Sequence, residues 1–415
     1  MIEADPSAAP RHDPRGAFRH RGFVLFWIAR FLATFSTQVV SVAVGWQVYD
    51  LTRNPFDLGL VGLVQFAPAL LLVLITGTVS DRFNRRVIVA VCTVAEAGCA
   101  AVLVLLTLSG AISVQAIFTL LFVFGVARAF MNPAASSLIP NLVPTEDLGS
   151  AIALSSSAWQ VATILGPVAG GLLYGLAPEA GYGAAAFLFV AAAVFVILVP
   201  RPPQKTLSEP ATWSTVVAGF RYVWHEKIVL GAISLDLFAV LLGGAVALLP
   251  AYARDILDVG PWGLGLLRSA TGIGAVAMAA YLTWRPVKDH AGLVMFVAVA
   301  CFGMFILVFG VSTVVWLSVA ALALAGAADM VSVYVRETLI QLWTPDAVRG
   351  RVNAVNMVFV GASNELGEFR AGTAAALIGV VPAVVMGGIG TIAVAGLWAW
   401  WFPQLRKARH LDGRP

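Results

Sequence analysis

The chain has 415 residues, of which 60% are hydrophobic and only 12% charged, with a net charge of +4. A soluble domain carries roughly 25% charged residues, so this chain cannot coat a water-exposed globule, and its solvent is a bilayer. The small positive balance does not imply nucleic acid. No nucleotide loop, metal-ligand spacing or nucleophile–base pairing suggests an enzyme, and no cofactor is expected.

Runs of about 20 apolar residues, enough to cross a hydrocarbon core about 30 Å thick, recur along the whole chain. They predict an all-α membrane protein with twelve transmembrane helices at 23–49, 57–80, 87–109, 113–138, 150–177, 182–199, 228–252, 262–284, 290–311, 314–339, 350–379 and 381–402. Residues 1–22 have no apolar core and read as a tail rather than a cleavable signal peptide. Residues 200–227 read as a polar linker and 403–415 as a second tail, leaving six-helix bundles at 23–199 and 228–402. Cys92 and Cys99 lie about 10.5 Å apart along one predicted helix, too far to bond. With Cys301 they read as small apolar fillers.

The basic residues orient the chain. Of 26 Lys and Arg, eighteen fall in the two tails and in the loops that share their side, while only Arg53 and Arg254 fall in loops on the other. The positive-inside rule places both termini in the cytoplasm.

The chain also repeats itself. LIPNLVPTEDLGSA (138–151) parallels LIQLWTPDAVRGRV (339–352) at an offset of 201 residues. The charged loop after the second predicted helix begins at Asp81, and the loop after the eighth begins at Arg285, 204 residues later. DLGLVGL (57–63) and PWGLGLL (261–267) match at the same offset. Two pseudo-symmetric six-helix halves account for all three matches. Parallel repeats of this kind mark secondary transporters, with the binding site between the repeats.

GTVSDRFNRR (77–86) resembles the loop 2–3 motif of the major facilitator superfamily, Gly-x-Leu-x-Asp-Arg-x-Gly-Arg-Arg. Gly77, Asp81, Arg82, Arg85 and Arg86 match, while Val79 and Asn84 replace Leu and Gly. Asn tolerates the left-handed backbone that Gly would supply. The resemblance implies a gating role for Asp81 at the cytoplasmic end, against the start of the eleventh helix, whose dipole favours an anion. Glu146 and Asp147 are further expected partners for Arg82 or Arg85. The counterpart RPVKDH (285–290) lacks the Gly and the Asp-Arg order, so the lock is expected to be stronger at helices 2 and 11 than at 8 and 5.

GPVAGG (166–171) resembles the antiporter motif of drug–proton exporters through Gly166, Pro167, Gly170 and Gly171, with Ala162 where that family has a further Gly. Pro167 removes a helix hydrogen bond, and the glycines allow close helix approach. The motif therefore reads either as antiporter machinery or as a tight helix pair. TPDAVRGRVNAVN (344–356) and GASNELGEF (361–369) resemble the branch that includes the bacterial enterobactin exporter.

Charges inside the spans cost roughly 2.5–3.5 kcal/mol each on insertion scales, so they should face the interior. Arg30, Arg128, Asp236 and Asp329 share a depth of roughly 12–15 Å from the cytoplasmic boundary, at 1.5 Å per residue. The resemblance puts their four helices around a central cavity. Two readings follow: a gate that pairs across the halves, with Asp236 or Asp329 carrying a proton, or a fixed structural salt-bridge set. Glu96 reads as a further proton site or as an interhelical hydrogen-bonding group. Glu365, Glu368, Arg268 and Arg370 lie toward the outside, as an outer-gate network or as local pairs. Arg336, near a helix end, is expected to snorkel to the interface. Tyr49, near a span end, fits an interfacial belt.

These readings lead to an inner-membrane secondary transporter that exports a small amphiphilic organic solute, drug- or siderophore-like, in exchange for protons, as a monomer surrounded by lipid. A lipid or lysolipid flippase or an importer on the same fold is the alternative within transport. A transport-inactive sensor or scaffold is the alternative from another class.

Overall fold

A computed structural model describes residues 15–201, 220–287 and 289–408, without the side chains of Leu74, Asp81, Asp346 and Ala347. The described residues form twelve long helices: α1 Arg21–Thr52, α2 Pro55–Arg82, α3 Arg85–Leu108, α4 Val114–Leu138, α5 Leu148–Leu176, α6 Pro178–Leu198, α7 Lys227–Gly243, α8 Gly260–Trp284, α9 Ala291–Val311, α10 Val315–Trp343, α11 Asp346–Ile378 and α12 Val380–Trp401. Eleven of the described spans are long and apolar enough to cross a membrane. The exception, α11, has the length but carries Arg349, Arg351, Glu365, Glu368 and Arg370.

Local chemistry sets the ends. Asn54 accepts a hydrogen bond from Phe56 N at 3.0 Å and Pro55 opens α2, a pairing suited to a helix start. Asn84 does the same for α3, accepting from Arg86 N at 3.0 Å. Its φ is −64°, so Asn84 replaces the motif's Gly as a helix cap, not as a left-handed turn residue. Gly379, at φ 93°, ends α11 and begins α12, in backbone space that favours Gly.

The helices pack in two matching sets. In the first half α1 packs on α5 and α6, α3 on α4 and α6, and α2 on α4. In the second half α7 packs on α11 and α12, α9 on α10 and α12, and α8 on α10. Each pair in one set is the six-helix counterpart of a pair in the other, as the sequence offset requires. The halves meet through α2 with α11 and α5 with α8, themselves counterparts.

Burial shows where they meet. One core joins both halves, from Val39–Tyr49 of α1 to Leu264 and Leu267 of α8 and Ala371 of α11. It lies at the end remote from the termini. At the terminus-bearing end each half has its own core, one built around Phe23, Phe26 and Leu138, the other around Val229, Leu339 and Leu405. The molecule is therefore closed at the remote end and parted at the other. Gly77, Gly149 and Gly350, near that parted end of α2, α5 and α11, face no described atom within 4 Å of a would-be Cβ. The linker expected at 200–227 falls largely on residues 202–219, outside the described set, and residues 220–225 are helical.

Candidate transport site

A cavity of about 370 Å³ lies between the halves, next to the shared core. One face of α1 supplies Thr37, Gln38 and Ser41, at spacings that share a helix side. From α2 comes Gln65, from α4 Arg128 and Asn132, from α8 Arg268, and from α11 Glu365 and Glu368. Gly45, Leu58 and Pro250 form the floor toward the remote end. The four charges are half-buried. Arg268 acts electrostatically on both glutamates, and Arg128, from the other half, acts on Glu365. Arg268 also donates from Nη1 to the Ser41 carbonyl across the seam at 3.5 Å.

The glutamates fit because α2 is bare where they pass. A Cβ on Gly62 would stand 2.6 Å from Glu365 Oε2 and 3.0 Å from Glu368 Oε2.

Below the floor, α1 and the chain after α7 are latched together. Helix α7 breaks after Gly243, and the chain resumes through Val246–Leu248 and Leu249–Ala251 into a wider helical turn at Tyr252–Ile256. There Arg254 pairs with Asp50, and Asp255 accepts from Tyr49 Oη. Arg53 Nη1 also reaches Asp255 Oδ1 at 3.1 Å. Arg254 further lies over the Trp46 ring, 5.3 Å from its centroid. Each half thus offers one acid and one base to the other. Tyr49 is buried in this latch rather than placed in an interfacial belt.

The break in α7 explains Arg370. Carbonyls at a helix end lack partners within the helix, and Arg370 Nη2 donates to the Leu242 carbonyl at 2.6 Å. Arg370 therefore holds α11 to α7 inside one half, apart from the network expected with Arg268, Glu365 and Glu368.

The four charges predicted at a common depth are not paired across the halves. Asp236 pairs with Arg336 of its own half, and Arg336 is buried rather than snorkelled. Arg336 Nε lies 3.7 Å from Glu337 Oε1, which accepts from Asn356 Nδ2 at 2.9 Å. Asp329 feels the charges of both Asp236 and Arg336. This set joins α7, α10 and α11. Arg30 and Arg128 stay in the first half, where both line a smaller chamber of about 160 Å³. Glu96 is fully buried, and neither carboxylate oxygen has a hydrogen-bond partner among the described residues.

Residues 13–414 match the family described as transmembrane secretion effectors, a branch of the major facilitator superfamily. The chain belongs to this family. Its relatives include the enterobactin exporter EntS of Citrobacter koseri, 26% identical over 95% of this chain and 96% of the relative. The EntS of Shigella boydii is 25% identical over 94% of each. Solved structures of the same fold include a bacterial homologue of the human lysosomal transporter Spinster in an inward-facing, occupied conformation, with TM-score 0.74, 14% identity, and 92% and 97% of the two chains covered. A D-xylose–proton symporter matches with TM-score 0.69 and 14% identity over 92% and 97%. The protein is a multi-pass membrane protein of the major facilitator fold and a secondary transporter, not an enzyme.

The transporter's family motifs have visible neighbours. In GPVAGG, Gly166 and Gly170 receive α1 at Gln38 and Val39, while Gly171 receives Pro261 and Trp262 of α8. The motif therefore forms both a tight pair within one half and part of the seam between halves. Pro167 sits inside α5 without interrupting it. In the loop 2–3 motif, Arg85 is buried and donates to the carbonyls of Ser80 at 3.4 Å and Ser137 at 3.0 Å. Arg82 is exposed. The gating contact expected of Asp81 lies outside the described side chains. Asp147, expected near Arg82 or Arg85, instead bonds His20 at 2.8 Å.

Sequence reasoning missed Gln65 and Asn132 as cavity residues and the latch entirely. The latch had one signal: Arg53 and Arg254 are the only basic residues assigned to loops on their side.

Proposed function

We propose that this protein exports a small amphiphilic, siderophore-like organic solute across the inner membrane in exchange for protons, by alternating access. Its termini lie in the cytoplasm, and the structure is the inward-facing state. The observation that carries this reading is the cavity between the halves, floored by a four-charge latch at one end and flanked by separate cores at the other. Such a chamber admits cargo from one side only. Opening the latch and closing the parted end exposes it to the other. The lock at Asp81 belongs to that second state.

Glu365 and Glu368 are the proposed coupling acids. They share the cavity with cargo and with Arg268, so a proton and a charged solute compete for the same field. Asp236 and Asp329 form a second set inside the C-terminal half, and Glu96 a third in the N-terminal half. The relatives named as enterobactin exporters support a siderophore-like cargo, and the fold is shared with a proton symporter. The cavity is complete within one chain, which supports a monomer in lipid.

Proteoliposomes with an imposed pH gradient, screened over siderophores, drugs and lysolipids, test this function. The expected result is proton flux that depends on a siderophore-like solute. Proton flux unaffected by every solute would overturn it.

A further inference from the structure

The smaller chamber lies inside the first half, among α1, α3, α4, α5 and α6. It joins the main cavity through Thr37, Gln38, Arg128 and Asn132, which line both. Its other wall carries Arg30, Thr93 and Trp159. Two arginines therefore line one space of about 160 Å³, which is about five water volumes at ~30 Å³ each. Among the described residues no carboxylate lines it. Arg30 and Arg128 have no hydrogen bond or ion pair among the described residues.

The acids nearby do not remove the positive field. Glu96, one turn beyond Thr93 on α3, acts on Arg128 electrostatically, but its oxygens bond nothing among the described residues. Glu365 acts on Arg128 from across the main cavity. A charge inside a membrane protein is costly without a partner, and an oxyanion bound in this chamber supplies one to the arginines that line it. Arginine suits this task, since its planar fork gives paired, charge-assisted hydrogen bonds to a carboxylate. Trp159 is 49% exposed and offers a flat face on which an aromatic ring can stack.

We propose that this chamber is an oxyanion subsite: Arg30 and Arg128 hold the acidic group of an aromatic cargo while its ring lies against Trp159. The rest of the cargo then extends past Gln38 and Asn132 into the main cavity. The proposal rests on the export reading and adds to it a charge and a ring at a stated place. It also separates duties between the halves, with cations for cargo on α1 and α4 and acids for protons on α11.

Benzoate, benzyl alcohol and benzylamine share a ring and differ in charge, so they serve as probes. Each is titrated at equilibrium, without a gradient, into the full chain in phosphatidylcholine nanodiscs. Benzoate should bind and stabilise the protein against heat, and the other two should not. R30Q and R128Q should each weaken benzoate about tenfold, and R30K, which keeps the charge but loses the fork, should fall between. Equal binding of benzoate and benzylamine overturns the proposal. So does a larger loss in R268Q than in R30Q, which would put the anion between the halves. Loss of benzoate binding in phosphatidylglycerol-containing discs assigns the subsite to a lipid headgroup and overturns the cargo assignment. Benzoate binding without proton-driven export removes the export reading alone. Export with no preference for anions removes the subsite alone.

Discussion

Arg254 pairs with Asp50 across the two halves, and the positions are 204 residues apart, the spacing at which the chain repeats. The end of α1 and the chain beyond α7 are therefore counterparts that bind each other by opposite charge. Partly exposed ion pairs contribute about 0–1 kcal/mol each, so the linked contacts bias the closed remote end without fixing it. In a cysteine-free background, D50N should shift the balance toward the opposite state by up to about fivefold. The readout is slower labelling of a cysteine at position 77, near the parted end. The swap D50R with R254D should restore the wild-type rate. Unchanged labelling in D50N removes the latch from the mechanism.

Gly62 is where α2 makes room for the acids of α11. An added Cβ would meet Glu365 Oε2 at 2.6 Å, closer than packed atoms allow, so one side chain must move. G62A should lower transport severalfold by displacing Glu365, while G62L should abolish it by forcing α2 from α11. Overpacking of this kind costs about 1–3 kcal/mol. Thermal stability should fall only modestly in G62A, which separates the functional loss from unfolding. Wild-type transport in G62L would show that the α2–α11 seam is not tight during the cycle.

The fold was legible because its signals are one-dimensional. Apolar run length gives spans such as α9 and α12, and the common offset gives two halves. GPVAGG was legible as a close approach because Gly at those positions has a backbone meaning. Charge pairing was not legible. Depth along a helix follows from residue count, but azimuth turns about 100° per residue, and pairing depends on both. Asp236 and Arg30 share a depth, yet Asp236 faces Arg336 of α10. Arg370 depends on the break in α7, which Gly243 and Gly244 permit but do not announce. Asn84 illustrates a substitution that keeps a turn by a different means, capping α3 through its side chain.

The Arg336–Asp236 pair should behave as a structural ion pair. Both are buried, and removing one partner of a buried pair costs about 3–5 kcal/mol because the other charge is left uncompensated. R336Q should therefore lower the thermal midpoint by several degrees, more than D236N does. The double variant D236N/R336Q should recover most of the loss. Its transport should keep the wild-type dependence on the imposed pH gradient. Loss of that dependence in a stable double variant would move the coupling site from α11 into this set.

Coupling through α11 makes a sharper demand. If Glu365 or Glu368 carries the exchanged proton, replacing it by Gln leaves binding and isomerisation possible but removes the ion step. E365Q and E368Q should then lose gradient-driven accumulation, with at least a tenfold fall, while retaining exchange of labelled for unlabelled solute at equal pH. A general defect in folding or cargo binding lowers both activities together. D329N and E96Q, whose acids do not line the main cavity, should retain gradient-driven transport within about twofold. Should D329N or E96Q alone uncouple the protein while E365Q and E368Q stay coupled, the proton path would run through the half-bundle interiors and not through the cavity shared with cargo.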